Sequence, residues 1–234
     1  MKALVIIPTY NEVNNIYTVI NKVLEHENVD ILVVDDSSQD GTAEKVKTWA
    51  EKTERVSLII RPAKLGLGTA YVTGFKWGLN HDYKYFFEMD ADLSHDPAEI
   101  PNFIRKIDEG YDLVIGSRYM RGTISVVGWD FKRLLLSKFA NKYAITILRL
   151  NWLTDITSGY RCYSRRVIES IDLDKIKSNG YAFQIEMAYR VYKKGLKIGE
   201  IPIIFYERNS GSSKMSRKIA LEAAWMVWRL RFRG

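Results

Sequence analysis

Short apolar runs alternate with segments of helical period through the first half of the chain. "ALVIIP" (3–8), "DILVVDD" (30–36), "RVSLIIR" (55–61), "KYFFEMD" (84–90) and "YDLVIGS" (111–117) are apolar and bounded by polar residues, Gly or Pro, which predicts five strands. Between them, Ile16, Val19, Ile20, Val23 and Leu24 recur at helical spacing within 12–26, and Asp40 is placed to cap a helix over 42–53. The Gly-marked "PAKLGLGTAYVTGFKWGL" runs from a turn into a third helix, and Pro97 sits where a fourth, over 98–109, begins. Strands alternating with helices predict right-handed crossovers and an α/β fold, a mostly parallel central sheet with helices on both faces. The second half is less regular. It predicts a helix over 131–149, a strand near "GYRCYS", a helix over 181–194, a strand "IPIIFY" over 201–206 and a final helix from about 214.

In an open α/β sheet, ligands bind beyond the carboxyl ends of the strands. The unusual residues of this chain collect there: "PTYNE", "DDSSQDGT", "RPAKLGLG", "DADLSHD" and "SRYMRG" follow the five strands in turn. Asp90 and Asp92, at i and i+2 beyond the fourth strand, repel each other unless a cation compensates them. Hard divalent ions such as Mg²⁺ take carboxylate oxygens while keeping water and substrate phosphates; capping of the helix near Pro97 is the other reading. His95, in the same turn, is either a hydrogen-bonded structural group or an aid to the metal. Asp35 and Asp36 end the second strand, as a turn or cap or as acceptors from a ribose or base. "KLGLGTA" has neither phosphate-loop spacing, so Gly66 and Gly68 are expected to allow close backbone approach.

A second constellation is basic. Arg133 and Ser137 are four apart and share a helical face, and with Arg118 they suit recognition of a phosphate, or else a solvated surface. Arg208 and Lys214, in "ERNSGSSKM", lie in a Gly/Ser-rich loop of the kind that closes over phosphates. Near the end, Leu221, Trp225, Trp228 and Phe232 form one apolar helical stripe flanked by Arg217, Lys218, Arg229, Arg231 and Arg233. Such a stripe suits a membrane interface or docking on the core. The domain division expected is a catalytic domain over 1–213 and an amphipathic helix over 214–234.

The chain has 234 residues, 47% of them hydrophobic, and a formal net charge of +7. A basic surface suits nucleic acid, an anionic membrane or a phosphorylated small molecule. No uninterrupted apolar stretch reaches the length of a transmembrane helix, because Lys138, Lys142 and Arg149 interrupt the nearest, 134–150. The single cysteine, Cys162, reads as a small core residue and fits a reducing compartment.

Taken in order, "VIIPTYNE", "VVDDSSQDGT", "KLGLGTAY", "MDADLSHDP", "VIGSRY" and "TSGYR" resemble the dolichyl-phosphate mannose synthases, inverting family 2 glycosyltransferases with a Rossmann-like GT-A fold. The resemblance covers about residues 3–215. It implies that Pro8, Tyr10, Glu12, Val34 and Asp36 hold guanosine, and that Asp90, Ala91 and Asp92 meet the donor diphosphate. Asp90 and Asp92 would bind Mg²⁺ or Mn²⁺; Ser94 stands where some relatives carry a Gln ligand. Arg118, Arg133 and Ser137 would receive the acceptor phosphate, Arg208 and Lys214 would close on the donor, and Asp155 and Glu186 would lie near the sugar. Asp92, Arg118 and Arg133 are then the catalytic set. The implied reaction is inverting transfer of mannose from GDP-mannose to dolichyl or polyprenyl phosphate. It would occur at a membrane surface as a peripheral protein on the cytoplasmic face, with room for a membrane-anchoring partner subunit. Transfer of glucose from UDP-glucose on the same fold, or nucleic-acid binding by a basic module, are the alternatives; basic residues lying mainly at strand ends or beside an apolar stripe speak against the second.

Overall fold

A computed structural model describes residues 1–176, 178–207 and 217–233. Strands β1 (Lys2–Thr9), β2 (Val29–Asp35), β3 (Val56–Ile60), β4 (Tyr83–Glu88) and β5 (Leu113–Ser117) alternate with helices α1 (Ile16–Leu24), α2 (Thr42–Ala50), α3 (Leu67–Leu79) and α4 (Ile100–Asp108). There follow β6 (Val126–Val127), α5 (Phe131–Leu148), β7 (Arg161–Ser164), α6 (Arg165–Ser170), α7 (Tyr181–Lys193), β8 (Ile198–Pro202), β9 (Phe205–Tyr206) and α8 (Arg217–Arg233). The seven-stranded sheet has the order β3-β2-β1-β4-β7-β5-β8. Only β7 runs against the rest, wedged between β4 and β5. The carboxyl ends of β1 to β5 therefore share one edge.

The apolar runs are unbroken because both faces of the sheet are covered. Along β1, Leu4 and Ile6 face a core with α3, α5, α6 and α7, while Ala3, Val5 and Ile7 face another with α1, α2 and α4. Packing is close where α3 crosses β1. A Cβ on Gly74 would lie 2.5 Å from Ile6 Cγ2, so only glycine lets the helix lie so near the strand. Gly74→Ala is expected to lower stability by about 1–3 kcal/mol through overpacking, read by denaturant melting.

Two expectations need correction. The run "IPIIFY" is not one strand: β8 ends at Pro202, and β9 leaves the main sheet to pair in parallel with β6. Ile203 turns into the core while Ile204 is exposed, so the apolar run spans a bend. The first residue of α2 is preceded by Gly41 in a left-handed conformation, and Asp40, one residue earlier, accepts from the Thr42 amide and hydroxyl instead of sitting at the cap. Cys162 is fully buried on β7.

Candidate active site

At the shared strand edge the chain turns sharply. Asn11, Ser37 and Leu93, beyond β1, β2 and β4, have positive φ without being glycine, a strained conformation that neighbouring contacts must hold. Those contacts are local polar bonds between loops. Thr9 donates to Asp35, which also accepts from the Ser38 amide and hydroxyl. The Gln39 amide donates to Asn11 Oδ1, and the Asn11 amide to Ser38 Oγ.

Asp36 is buried and its carboxylate is committed to the chain. Oδ1 meets the Arg61 guanidinium at 2.5 Å, and Oδ2 accepts from the amides of Leu65 and Gly66 at 3.1 and 3.2 Å. Arg61 continues to Thr69 Oγ1 and the Gly66 carbonyl. Asp36 thus fixes the glycine turn at the start of α3. Val34 is fully buried beside it, Tyr10 is half exposed with the Lys64 ammonium 3.5 Å from its ring centre, and Glu12 accepts from Asn15.

The acidic turn follows β4. Asp92 is 8% exposed, and its Oδ1 accepts from the amide and hydroxyl of Ser94. Ser94 therefore orients Asp92. Asp90 Oδ1 accepts from the Tyr71 hydroxyl at 3.3 Å, and the Asp90 amide donates to His95 Nδ1 at 3.1 Å. An Nδ1 that accepts carries no proton, so His95 holds the turn as a neutral imidazole, stacked on Tyr160 at 4.9 Å. Among the described residues no group of three or more His, Cys, Asp or Glu could hold a metal. The donor set is two hard carboxylates, which fits an ion that completes its shell with water and phosphate oxygens.

Behind this turn lies a buried polar wall that the sequence reading did not single out. Glu88 is fully buried on β4, and Tyr163 donates to it at 2.8 Å. Burial pushes the Glu88 carboxyl up to about 7, against the pull of Arg161. Arg161, also fully buried, donates to the carbonyls of Ser158, Gln184 and Ile156. A charged residue inside an otherwise apolar strand was the available signal. The metal-free folded chain keeps the Glu88 proton to about pH 7, whereas an unfolded carboxyl releases it near 4.5. Between these values the folded state binds more protons, so stability falls as pH rises. Glu88→Gln is expected to remove that slope and to be more stable than the parent above pH 7, read by denaturant titrations at several pH values.

Across the edge, Arg118 is 4% exposed and gripped by Asp155: Nε and Nη2 donate to its two oxygens at 2.6 and 2.7 Å. Burial opposes the Arg118 charge, and the Asp155 carboxylate more than offsets it, leaving the guanidinium pKa above its ordinary value. Asp155 is held in turn by Glu200, which accepts its amide. The Arg118 guanidinium is also bracketed by Tyr119, Trp129 and Phe205 at 5.3–5.5 Å. Arg133, on α5, lies over the same Trp129 at 4.3 Å and donates to Glu207 at 2.7 Å. Tyr119 donates to Ser137 at 2.7 Å. Arg118, Arg133 and Ser137 thus share one aromatic bracket. Glu186 is bound by Arg190 and Ser178 on α7's own side. Arg208 and Lys214 lie outside the described residues.

A cleft of about 570 Å³ is lined by Lys22, Asp92, Leu93, Val127, Gly128, Tyr206 and Glu207. Beside it α5 exposes Phe131, Leu135, Leu136 and Phe139, and α8, packed on α5, exposes Trp225, Trp228 and Phe232. Val227 and Leu230 of α8 are buried in the core, and Met226 packs against it. Trp225, Trp228 and Phe232 of the terminal stripe therefore face outward. Among the described residues no helix is long and apolar enough to cross a membrane.

The family model for glycosyl transferase family 2 matches residues 4–172. A polyprenol monophosphomannose synthase of Mycolicibacterium smegmatis is 45% identical over 236 residues, spanning 100% of this chain and 88% of that protein. An undecaprenyl-phosphate mannosyltransferase of Micrococcus luteus is 43% identical over 230 residues, spanning 98% and 93%. Among solved structures, glucosyl-3-phosphoglycerate synthase of Mycobacterium tuberculosis, crystallised with Mn²⁺, UDP-glucose and phosphoglyceric acid, matches with a TM-score of 0.72 at 18% identity. That match covers 97% of this chain and 80% of the other, a likeness of fold.

Proposed function

The chain belongs to glycosyltransferase family 2 and transfers mannose to polyprenyl phosphate, and we propose that it takes the sugar from GDP-mannose and inverts the anomeric carbon with the help of a divalent ion. One observation carries this reading. Asp92 of the acidic turn and Glu207, the carboxylate that Arg133 holds, line a single cleft. A leaving diphosphate and an incoming phosphate would then meet across one sugar.

The side chains fit these roles. Asp90 and Asp92 would hold Mg²⁺ or Mn²⁺, which when bound supplies charge neutralisation for the departing diphosphate. Ser94 and Tyr71 keep the two carboxylates in place. Arg118 and Arg133, with Ser137 on the same helix as Arg133, receive the lipid phosphate and aim it at the anomeric carbon. A phosphate monoester has a second pKa of about 6, so it is already anionic near neutral pH and requires no general base. That agrees with His95 serving the turn's geometry. Tyr10 and Lys64 lie at the edge where the nucleoside would sit, and Asp36 acts on it through the turn it fixes.

The test is a donor panel with radiolabelled GDP-mannose and UDP-glucose on a polyprenyl phosphate, with and without EDTA. Transfer from GDP-mannose alone, abolished by EDTA and restored by Mn²⁺, is expected; transfer from UDP-glucose only would reject the reading.

The lipid acceptor also accounts for the apolar faces of α5 and α8. Exposed aromatics flanked by Lys132, Lys138, Lys142 and Arg229 suit the interface of an anionic bilayer. Replacing Phe131 and Phe139 together by Ser is expected to weaken binding to anionic vesicles about tenfold or more in co-sedimentation, given the apolar area removed.

A further inference from the structure

We propose that Glu207 is a carboxylate stand-in for the acceptor phosphate, a residue that occupies Arg133 when the site is empty and sets acceptor affinity by competing with it. This rests on the assignment of Arg133 to the acceptor phosphate.

The contact is built into the fold. Arg133 Nη1 donates to Glu207 Oε1 at 2.7 Å while its guanidinium lies 4.3 Å from the Trp129 ring centre. The Glu207 amide donates to the Val127 carbonyl at 2.9 Å, continuing the β6–β9 pairing and fixing the backbone from which the carboxylate reaches. Gly128 makes the space. A Cβ there would stand 2.8 Å from Glu207 Cβ and 3.0 Å from Oε2, and its φ of +88° favours glycine in any case. The loop is thus shaped to let this one side chain lie against it.

The electrostatics select the occupant. Arg118 is already neutralised by Asp155, both buried, and that pair is fixed. Arg133 pairs with a carboxylate that is 40% exposed, a partner that water can replace at little cost. The exchangeable positive charge of the bracket is therefore on Arg133, and the group now holding it is a singly charged anion. A phosphate monoester carries close to two charges and three acceptor oxygens, so it outcompetes a carboxylate for the same guanidinium. Trp129, in the same bracket, has a buried indole N–H with no acceptor among the described residues, a donor that the carboxylate leaves unused. When phosphate arrives, Glu207 is released into the cleft that it lines with Asp92.

The experiment measures binding of inorganic phosphate and of farnesyl phosphate to the full chain by calorimetry, for the parent, Glu207→Gln, Arg133→Gln and the double variant. Glu207→Gln is expected to tighten both ligands about two- to fivefold, the size that a half-exposed ion pair supplies. Arg133→Gln should weaken both, and the double variant should match Arg133→Gln, because the competitor matters only through that arginine. The steady-state acceptor KM of Glu207→Gln should fall by the same factor. Unchanged or weaker binding by Glu207→Gln, with Arg133→Gln still weak, overturns the stand-in and leaves the acceptor site intact. A gain for farnesyl phosphate alone also overturns it, since the effect would then lie on the chain and not the head group. Unchanged binding by Arg133→Gln removes the acceptor assignment itself.

Discussion

An Asp92→Asn enzyme is expected to fold like the parent and to transfer mannose about a thousandfold more slowly. Asp92 Oδ1 accepts from the Ser94 amide and hydroxyl, and an amide oxygen at the same place keeps both bonds. What is lost is the negative charge at the end of β4, beside Asp90. If that charge holds a divalent ion against the diphosphate, removing it forfeits several kcal/mol of leaving-group stabilisation, or about three decades in rate. The loss should appear in kcat more than in the acceptor KM, because Asp92 is not part of the arginine bracket. Equal melting temperatures with activity within threefold of the parent would show that the acidic turn serves the fold.

Asp155→Ala is expected to cost about 3–5 kcal/mol of stability and most of the activity, because it leaves the buried Arg118 charge without its partner. Four bonds go at once: the two from the Arg118 guanidinium, one from its amide, and the weaker one from Thr157. Asp155→Asn keeps the shape and an acceptor oxygen, so it should recover much of the stability. It should not restore the acceptor KM, since one oxygen cannot hold the guanidinium fork at both ends. Denaturant melts with acceptor titrations on both variants separate the two effects. A stable Asp155→Ala protein with an ordinary KM would mean that Arg118 needs no anchor.

The first half of the fold was legible because each strand is covered on both faces and reads as a plain apolar run, and each helix presents one apolar stripe. The strand expected near "GYRCYS" is β7, but its antiparallel course between β4 and β5 was not legible. The strand is four residues long, and the fully buried Arg161 within it breaks the apolar signal. The path through 201–206 misled because Ile203 serves the core, so the apolar pattern runs through a bend. Helix α5 gives no clean stripe for a related reason. Its last turns bury Ala144, Ile145 and Leu148, while its first turns expose Phe131, Leu135 and Phe139. Its apolar residues serve two different surroundings.

In the site, the acidic turn and Arg118 stood out because charges at strand ends are conspicuous, and Arg133 because it shares a helical face with Ser137. Their partners did not. Asp36 meets Arg61 across 25 residues, Arg118 meets Asp155 across 37, and Arg133 meets Glu207 across 74. No local spacing encodes such pairs; they appear only once the strand ends are brought together. Asp36, expected to face a nucleoside, spends both oxygens on the chain for that reason.

Crystals of the chain soaked with GDP and Mn²⁺ put the central claim to its most direct test, through anomalous density for manganese. The expected result is one manganese peak bridging the carboxylates of Asp90 and Asp92 to oxygens of the GDP diphosphate. GDP bound at this edge with manganese elsewhere, and with both carboxylates turned away from the phosphates, would contradict it.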